Sequence, residues 1–402
     1  MSNNFTSVKD GSGTLSDAFS ARISRELDSL KSAGNFRALT PVSAHGKFLF
    51  QGGKRYLNFS SNDYLGLSAS ALQQKFFAEI LVPANARGEF LMSNPASRLM
   101  TGNSEHYAAL ENVLGELFGG KSALVLGSGF LANSGLLPAL AHKGDLVLAD
   151  KLVHASVIEG LRLCEAEWKR FRHNDVAHLE SLLKNVSRER TVWVVTESIF
   201  SMDGDIAPLR EIAELKKNYG FRLCVDEAHA FGVVGPGGRG IAAELGLADA
   251  CDVVVATFGK ALASAGAVVI TDALTREYLV NKMRTLIFST ALPPASLMWT
   301  RYVAERLGDA EFSARRARLR ELRELLSREL GVSASSHIIP IPAGENARAI
   351  AMANAGKDAG FWLTPIRHPT VPAGTARIRL SLSAAMEPEE IHEFCRTCKN
   401  FG

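Results

Sequence analysis

The sequence predicts an α/β protein with a mainly parallel central sheet, helices on both of its faces, and a smaller C-terminal α/β domain. Two observations carry that expectation. From about residue 105 onward, short apolar runs at 123–126, 146–149, 192–196, 222–225, 253–257 and 267–271 alternate with helix-length segments. Continuous apolar runs are the mark of parallel strands covered on both faces, and the intervening helices make the crossovers. Past Pro293-Pro294 the pattern changes, and residues 336–384 alternate strand-like runs with helix on a smaller scale. With 402 residues, 47% of them apolar and 22% charged, the chain is long enough to bury a large core.

Taken in order, the N-terminus is polar and reaches Asp10 and Asp17 without an apolar stretch, so no signal peptide is expected. Residues 18–35 have the apolar spacing of an amphipathic helix ending near Gly34. A turn at Gly52-Gly53 leads through 58–67 into the main body. The stretch 122–141 is uncharged and long enough to span a membrane. However, Gly127, Gly129, Asn133, Gly135 and Pro138 punctuate it, so it reads as a buried strand, a glycine turn and a core helix. In 313–330, Leu319, Leu322, Leu326 and Leu330 share one helical face while arginines and glutamates crowd the others. That is the pattern of a solvated amphipathic helix; docking of an acidic carrier protein is the sharper alternative. The expected organisation is an N-terminal helix and arm over 1–57, a large domain over 58–290 and a small domain over 291–402.

A formal charge of +3 gives no reason to expect nucleic acid or an anionic membrane as partner. The five cysteines are odd in number and irregularly spaced, which favours free thiols in a reducing cytoplasm over a disulfide framework. Cys395 and Cys398 have metal or redox spacing, but no second pair accompanies them, so no metal is expected.

Ligands of open parallel sheets sit beyond the carboxyl ends of the strands. The polar residues there are Ser128, Gly129 and Phe130, then His154, Glu197 and Ser201, then Asp226 with His229, and finally Thr257 through Lys260. Lys260 follows the apolar run VVVATFG, and burial lowers a lysine pKa and frees its amine as a nucleophile or base. Pyridoxal phosphate needs such an amine together with a carboxylate that keeps its ring nitrogen protonated. Asp226 is the candidate carboxylate, and His229 stands three residues on. The amides of Gly129 and Phe130, opening a helix, and the hydroxyl of Thr257 suit a phosphate. A competing signal is the G-x-G-x-x-G of residues 235–240, a dinucleotide fingerprint. Pro236 interrupts it and no strand directly precedes it, so a solvent-facing glycine loop is expected instead.

The sequence resembles the α-oxoamine synthases, a branch of the fold-type-I pyridoxal-phosphate enzymes. The likeness runs from about Arg37 to Ala385. It is carried by NFSSNDYLGLS (58–68), SRLMTGNSEHYAALE (97–111), GSGFLANSG (127–135), RFRHNDVAHLESLL (170–183) and TESIFSMDGDIAPL (196–209). VDEAHAFGVVG (225–235), TFGKALASAGA (257–267), LIFSTALPPA (286–295) and IRHPTVPAGTARIRLSLSAA (366–385) complete it. The resemblance implies that Lys260 carries the cofactor as a Schiff base and later removes the substrate Cα proton. It implies that Asp226 pairs with the ring nitrogen, that His229 and Ser201 contact the phenolic oxygen, and that His154 stacks on the ring. Gly129, Phe130 and Thr257 would hold the phosphate, helped by Ser289 or Thr290 from the second subunit of a homodimer. Arg367 and Asn62 would hold the amino-acid carboxylate, and Arg37 and Thr370 match positions near the acyl substrate.

The implied activity is decarboxylative condensation of an amino acid with an acyl thioester, carried by coenzyme A or an acyl carrier protein. The segment 371–385 is most similar to members of the biotin pathway, which join L-alanine to a pimeloyl group. Branches that use glycine or serine with other acyl groups are the alternatives. Departures from the biotin-pathway pattern leave the acyl substrate more open than the cofactor. ALASAGA follows Lys260 where GFGVSGA is usual, AFGVVG follows His229 where GTGVIG is common, and Ala291 replaces a frequent serine. Some family members are inert partner subunits lacking the lysine; retention of Lys260, Asp226 and His229 argues against that role here.

Overall fold

A computed structural model describes residues 15–398, so the expected polar stretch before residue 15 lies outside the described residues. At its centre is a seven-stranded sheet whose strands, across the sheet, are Ser122–Leu126, Ala267–Thr271, Val253–Thr257, Arg222–Asp226, Val192–Glu197, Leu146–Asp150 and Glu167–Phe171. All are parallel except Ala267–Thr271, which runs antiparallel to both neighbours. Every strand marked by an apolar run forms where expected. The edge strand Glu167–Phe171 (EWKRF) carries charges and is mostly exposed, so it has no apolar run to reveal it. Two buried clusters cover the sheet, one on each face, as a parallel sheet requires.

The uncharged stretch 122–141 resolves into the strand Ser122–Leu126 and the helix Gly129–Leu140, capped by Ser128 Oγ accepting from the Leu131 amide at 3.1 Å. Among the described residues no helix is long and apolar enough to cross a membrane. The amphipathic helices occupy Leu15–Ser32 and Ala310–Leu330. The second buries Leu319, Leu322 and Leu326 and ends at Gly331 in the left-handed conformation. Cys395 and Cys398 lie on the last helix, Pro388–Cys398, and no group of three or more metal-ligating side chains occurs among the described residues.

Beyond residue 293 the strands Ile338–Gly344, Ala376–Ser381 and Pro365–Ile366 form an antiparallel sheet covered by the helix Asn346–Asp358. A further sheet joins the two ends of the chain: Ser43–His45, Phe48–Gln51 and Lys54–Asn58 continue into Phe361–Trp362, which pairs in parallel with Leu57 and Asn58. The N-terminal arm is thereby fastened to the C-terminal region.

The glycine loop at 235–240 differs from expectation. It is packed rather than solvent-facing, with Gly238 and Gly240 buried. The carboxylate of Glu227 accepts from the amides of Ile241 and Ala242 at 3.0 and 2.8 Å. A Cβ on Gly240 would come within 2.5 Å of that carboxylate, and its φ of +100° also demands glycine. Gly240 therefore serves close approach to Glu227, while Gly235 and Gly238 serve close approach to the backbone at Gly240 and Gly232.

Candidate functional site

Four strand ends and one helix start converge on a cavity of about 150 Å³. Gly129, Phe130, His154, Asp226, His229, Thr257 and Lys260, all expected from the sequence, line it together with Asn133, Ser156 and Glu197. Lys260 sits in a tight turn after Val253–Thr257, closed by Ser264 N donating to Phe258 O at 3.0 Å and anchored by the fully buried Phe258. Its Nζ lies 2.8 Å from His229 Nε2. Burial lowers the lysine pKa, the nearby carboxylates of Asp226 and Glu197 pull it back up, and the balance is about 8. A useful fraction of the amine is therefore free near neutrality.

His229 is held from its other side, with Nδ1 2.7 Å from the hydroxyl of Tyr64. Burial, then the charges of Lys260 and Arg379, keep the imidazole well below its usual pKa. A neutral ring has one donor and one acceptor nitrogen. With Lys260 donating to Nε2, Nδ1 donates to Tyr64, which passes its own proton to Asn62 Oδ1 at 3.0 Å. Arg379, only 7% exposed, donates to both Asn62 Oδ1 and Tyr64 Oη at 3.3 Å. A hydrogen-bonded path thus runs from a buried guanidinium to the Lys260 amine.

Asp226 is buried and fully engaged: Oδ1 accepts from Ala228 N at 2.8 Å, and Oδ2 from Asn133 Nδ2 at 2.7 Å. Asn133 also donates to Ser156 Oγ, which is 2.7 Å from His154 Nδ1. The His154 amide donates to Glu197 Oε1 at 2.5 Å. Glu197 is 2% exposed, and burial followed by the charge of Asp226 raises its pKa well above the usual carboxylate range.

The other expected residues lie off the cavity. Ser201 is on the hairpin closed by the Ile199–Ile206 bridge, its carbonyl accepting from Arg379 Nε at 2.5 Å. Arg367 donates to the carbonyls of Gly34 and Phe36, and Arg37 Nη2 donates to Thr370 Oγ1 at 3.0 Å. Ser289 and Thr290 line a different small pocket with Arg98, Tyr107 and Gly127 of their own chain. Asn62 reaches the site only through Tyr64 and Arg379. Sequence reading assigned no role to Tyr64, Asn133, Glu197 or Arg379. Glu197 carried the signal of a strand end, and Arg379 that of a charge inside an apolar strand.

These groups fit pyridoxal phosphate. The first amides of the helix Gly129–Leu140 have no acceptor within the helix, and Ser128 satisfies only that of Leu131. The glycine at 129 keeps side-chain bulk from the space beside Thr257 Oγ1, 3.5 Å from where a Cβ would stand. The amine, the buried carboxylate and the helix start face one cavity.

The chain matches the class I and II aminotransferase family model over residues 54–397. It is 45% identical over 386 residues to an 8-amino-7-oxononanoate synthase of Chlorobaculum parvum, covering 94% of this chain and 98% of that one. It is 45% identical over 379 residues to the corresponding protein of Haemophilus ducreyi, covering 91% and 97%. Among solved structures it is similar to a serine palmitoyltransferase of S. paucimobilis carrying PLP, with a TM-score of 0.86, 29% identity, and coverage of 97% and 100%. An 8-amino-7-oxononanoate synthase of Francisella tularensis matches with a TM-score of 0.69 and 27% identity, covering 86% and 98%.

Proposed function

From membership of the class I and II aminotransferase family, to which this chain belongs, we propose that it acts as an 8-amino-7-oxononanoate synthase. It condenses L-alanine with a pimeloyl thioester, with loss of carbon dioxide, and its cofactor is pyridoxal 5'-phosphate. The observation that carries this reading is the meeting of a lysine near pKa 8, a buried carboxylate and a helix N-terminus in one cavity. It occurs in a chain 45% identical, nearly end to end, to synthases of that name.

When bound, the cofactor supplies an electron sink for the bond-making carbon of the amino acid. Lys260 would hold it through Nζ, and the same amine would be the base that accepts the Cα proton of the amino acid. Asp226, fixed by Asn133 and Ala228, keeps the proton on the ring nitrogen. His229 and Ser201 would serve the phenolic oxygen, and His154 would cover the ring. Gly129, Phe130 and Thr257 hold the phosphate. Asn62 and Arg379 are the best-placed groups for the substrate carboxylate, since they meet within hydrogen-bond distance beside Tyr64. Arg367 is the second candidate, and Arg37 with Thr370 flanks the acyl entrance.

The site is shared in a homodimer, with Ser289 or Thr290 of one chain reaching the phosphate held by the other. Exposed Phe130, Leu99, Met100 and Phe288 support this, because apolar side chains so close to the cavity and its neighbouring pocket call for a cover. The cofactor-binding domain is 58–290, the arm 1–57 and the small domain 291–402. Five cysteines, none of them in a disulfide among the described residues, suit the reducing cytoplasm. The arginine-bearing surface of Ala310–Leu330 suits an acyl carrier protein, with coenzyme A as the alternative carrier.

The test is a product assay crossing alanine, glycine and serine against acetyl, succinyl, pimeloyl and palmitoyl thioesters on both carriers. Alanine with the pimeloyl group should dominate. Preference for serine with palmitoyl, or for glycine with a short acyl group, would replace the reading with another branch of the family.

A further inference from the structure

Outside the residues given a role above, His173 draws two carboxylates together. It follows the edge strand Glu167–Phe171, and the next residue, Asn174, adopts a left-handed φ of +52°. His173 Nδ1 lies 2.9 Å from Asp150 Oδ1, and Nε2 lies 2.7 Å from Asp205 Oδ2. Each ring nitrogen faces a carboxylate oxygen, which can only accept, so both nitrogens must donate and the ring is an imidazolium.

The two carboxylates belong to different segments, and each segment carries a proposed cofactor contact. Asp150 ends the strand Leu146–Asp150 and is fully buried. It accepts from Leu152 N at 2.8 Å and from Asn174 N at 2.9 Å, which shapes the loop leading to His154. Asp205 lies on the hairpin that carries Ser201 and is closed by Phe200 N donating to Asp205 O at 3.0 Å and by the Ile199–Ile206 bridge. Asn174 Nδ2 adds a bond to Asp205 Oδ2 at 2.7 Å, and the Phe200 ring meets the imidazole edge-on at 4.4 Å. The far side of the hairpin is held by Arg377 on Asp203 and by Arg379 on the Ser201 carbonyl.

We propose that His173 is a positioning residue that clamps the 150–154 loop to the 199–206 hairpin, and so sets His154 and Ser201 around the cofactor ring. Without it, two carboxylates, one of them sealed from solvent, would face each other across the gap and push the segments apart. Burial alone would lower the imidazole pKa, but the hydrogen bonds and charges of Asp150 and Asp205 outweigh it and hold the group at about 10. The clamp therefore stays closed across the physiological range and is not a pH switch. The inference rests on the cofactor reading above.

The experiment compares holoenzyme with His173→Gln, Asp205→Asn and His173→Gln/Asp205→Asn. Glutamine keeps a donor but no charge, so His173→Gln should release cofactor about tenfold faster and alter its visible absorption band. Its kcat should fall about tenfold while the alanine KM stays nearly level. The double variant removes one of the opposed charges and should regain several-fold of the loss, which a purely structural defect would not do. A lowered melting temperature with an unchanged band, unchanged release rate and kcat within about twofold of wild type would overturn the clamp. If the glutamine variant does not fold, Asp205→Asn alone decides: a shifted band supports the clamp, and an unchanged band overturns it. Wild-type protein that binds no pyridoxal phosphate would overturn the function instead, so the two failures are distinguishable.

Discussion

The inner and outer walls of the Lys260 cavity are built differently. The inner wall is the carboxyl edge of the parallel sheet, where Asp226, Thr257 and Lys260 follow directly from buried strands and the helix start at Gly129 from another. Here the backbone fixes the side chains, and burial lowers the pKa values of Lys260 and His229 and raises that of Glu197. The outer groups come from far along the chain: Arg37 meets Thr370, Arg367 meets Gly34, and Arg379 reaches Asn62. Arg37, Thr370 and Arg367 are joined to one another's segments rather than to the cavity, and Arg379 reaches it only through Tyr64 and His229. The inner wall is thus suited to fixed chemistry on the cofactor, and the outer one to substrate capture and assembly with a second chain.

If that division is right, the largest losses come from the inner wall. Lys260→Ala should abolish turnover, and borohydride should no longer fix cofactor to the peptide carrying residue 260. Ser289→Glu, on the outer side, should be as inactive, because it sets a negative charge against the phosphate of the neighbouring site. Refolding an equal mixture of the two variants should restore about a quarter of wild-type activity. Half the dimers are mixed, and each of those has one undamaged site. No recovery would place both residues in one chain's site and remove the assembly role from the outer wall.

Next in size is Asp226→Asn. An amide keeps the bonds from Asn133 or Ala228 only in part and cannot hold a proton on the ring nitrogen by charge. Exchange of the alanine Cα proton should slow about a hundredfold with cofactor still bound. Near-normal exchange would mean that Glu197, not Asp226, governs the ring electronics. A smaller effect tests the lysine itself. With a pKa of about 8 in place of the ordinary 10.5, the amine of cofactor-free protein is released as pH rises through 8. Roughly one amine in ten is free at pH 7, so capture of pyridoxal phosphate should quicken by about tenfold towards pH 9 and then level. A rate still climbing steeply at pH 10 would show that burial does not tune Lys260.

The same division explains what the sequence reveals. Asp226 and Lys260 are legible because strands of one sheet must expose their ends at a common edge, and VVVATFG announces such a strand. Arg379 is hidden within ARIRLS, since an alternating strand usually turns its charges to solvent. Its burial depends on Tyr64 and Asn62, more than 300 residues away in sequence. Tyr64 and Asn133 are likewise ordinary residues until the fold sets them against His229 and Asp226. The glycine loop at 235–240 looks like a nucleotide fingerprint because close approach to Glu227 and to neighbouring backbone requires the same residue type as close approach to phosphate. Glycine spacing reports the need for close approach without naming what approaches.

The smallest expected effects separate the two arginines offered for the substrate carboxylate. Arg379 is buried, and its Nη2 stands where Asn62 and Tyr64 converge one hydrogen bond from His229. Arg367 is engaged with backbone carbonyls of the 34–36 segment. Loss of a charge-assisted contact to a carboxylate is worth about tenfold in binding, so Arg379→Ala should raise the alanine KM by about that factor or more. Arg367→Ala removes a tie between the N-terminal segment and the C-terminal region, and should change the alanine KM by about twofold or less. Lysine in place of Arg379 keeps the charge but loses the planar fork, so it should recover only part of the affinity. The reverse ranking would mean that Arg367 leaves Gly34 and swings to the substrate on binding, and that the outer wall closes over the cavity when alanine arrives.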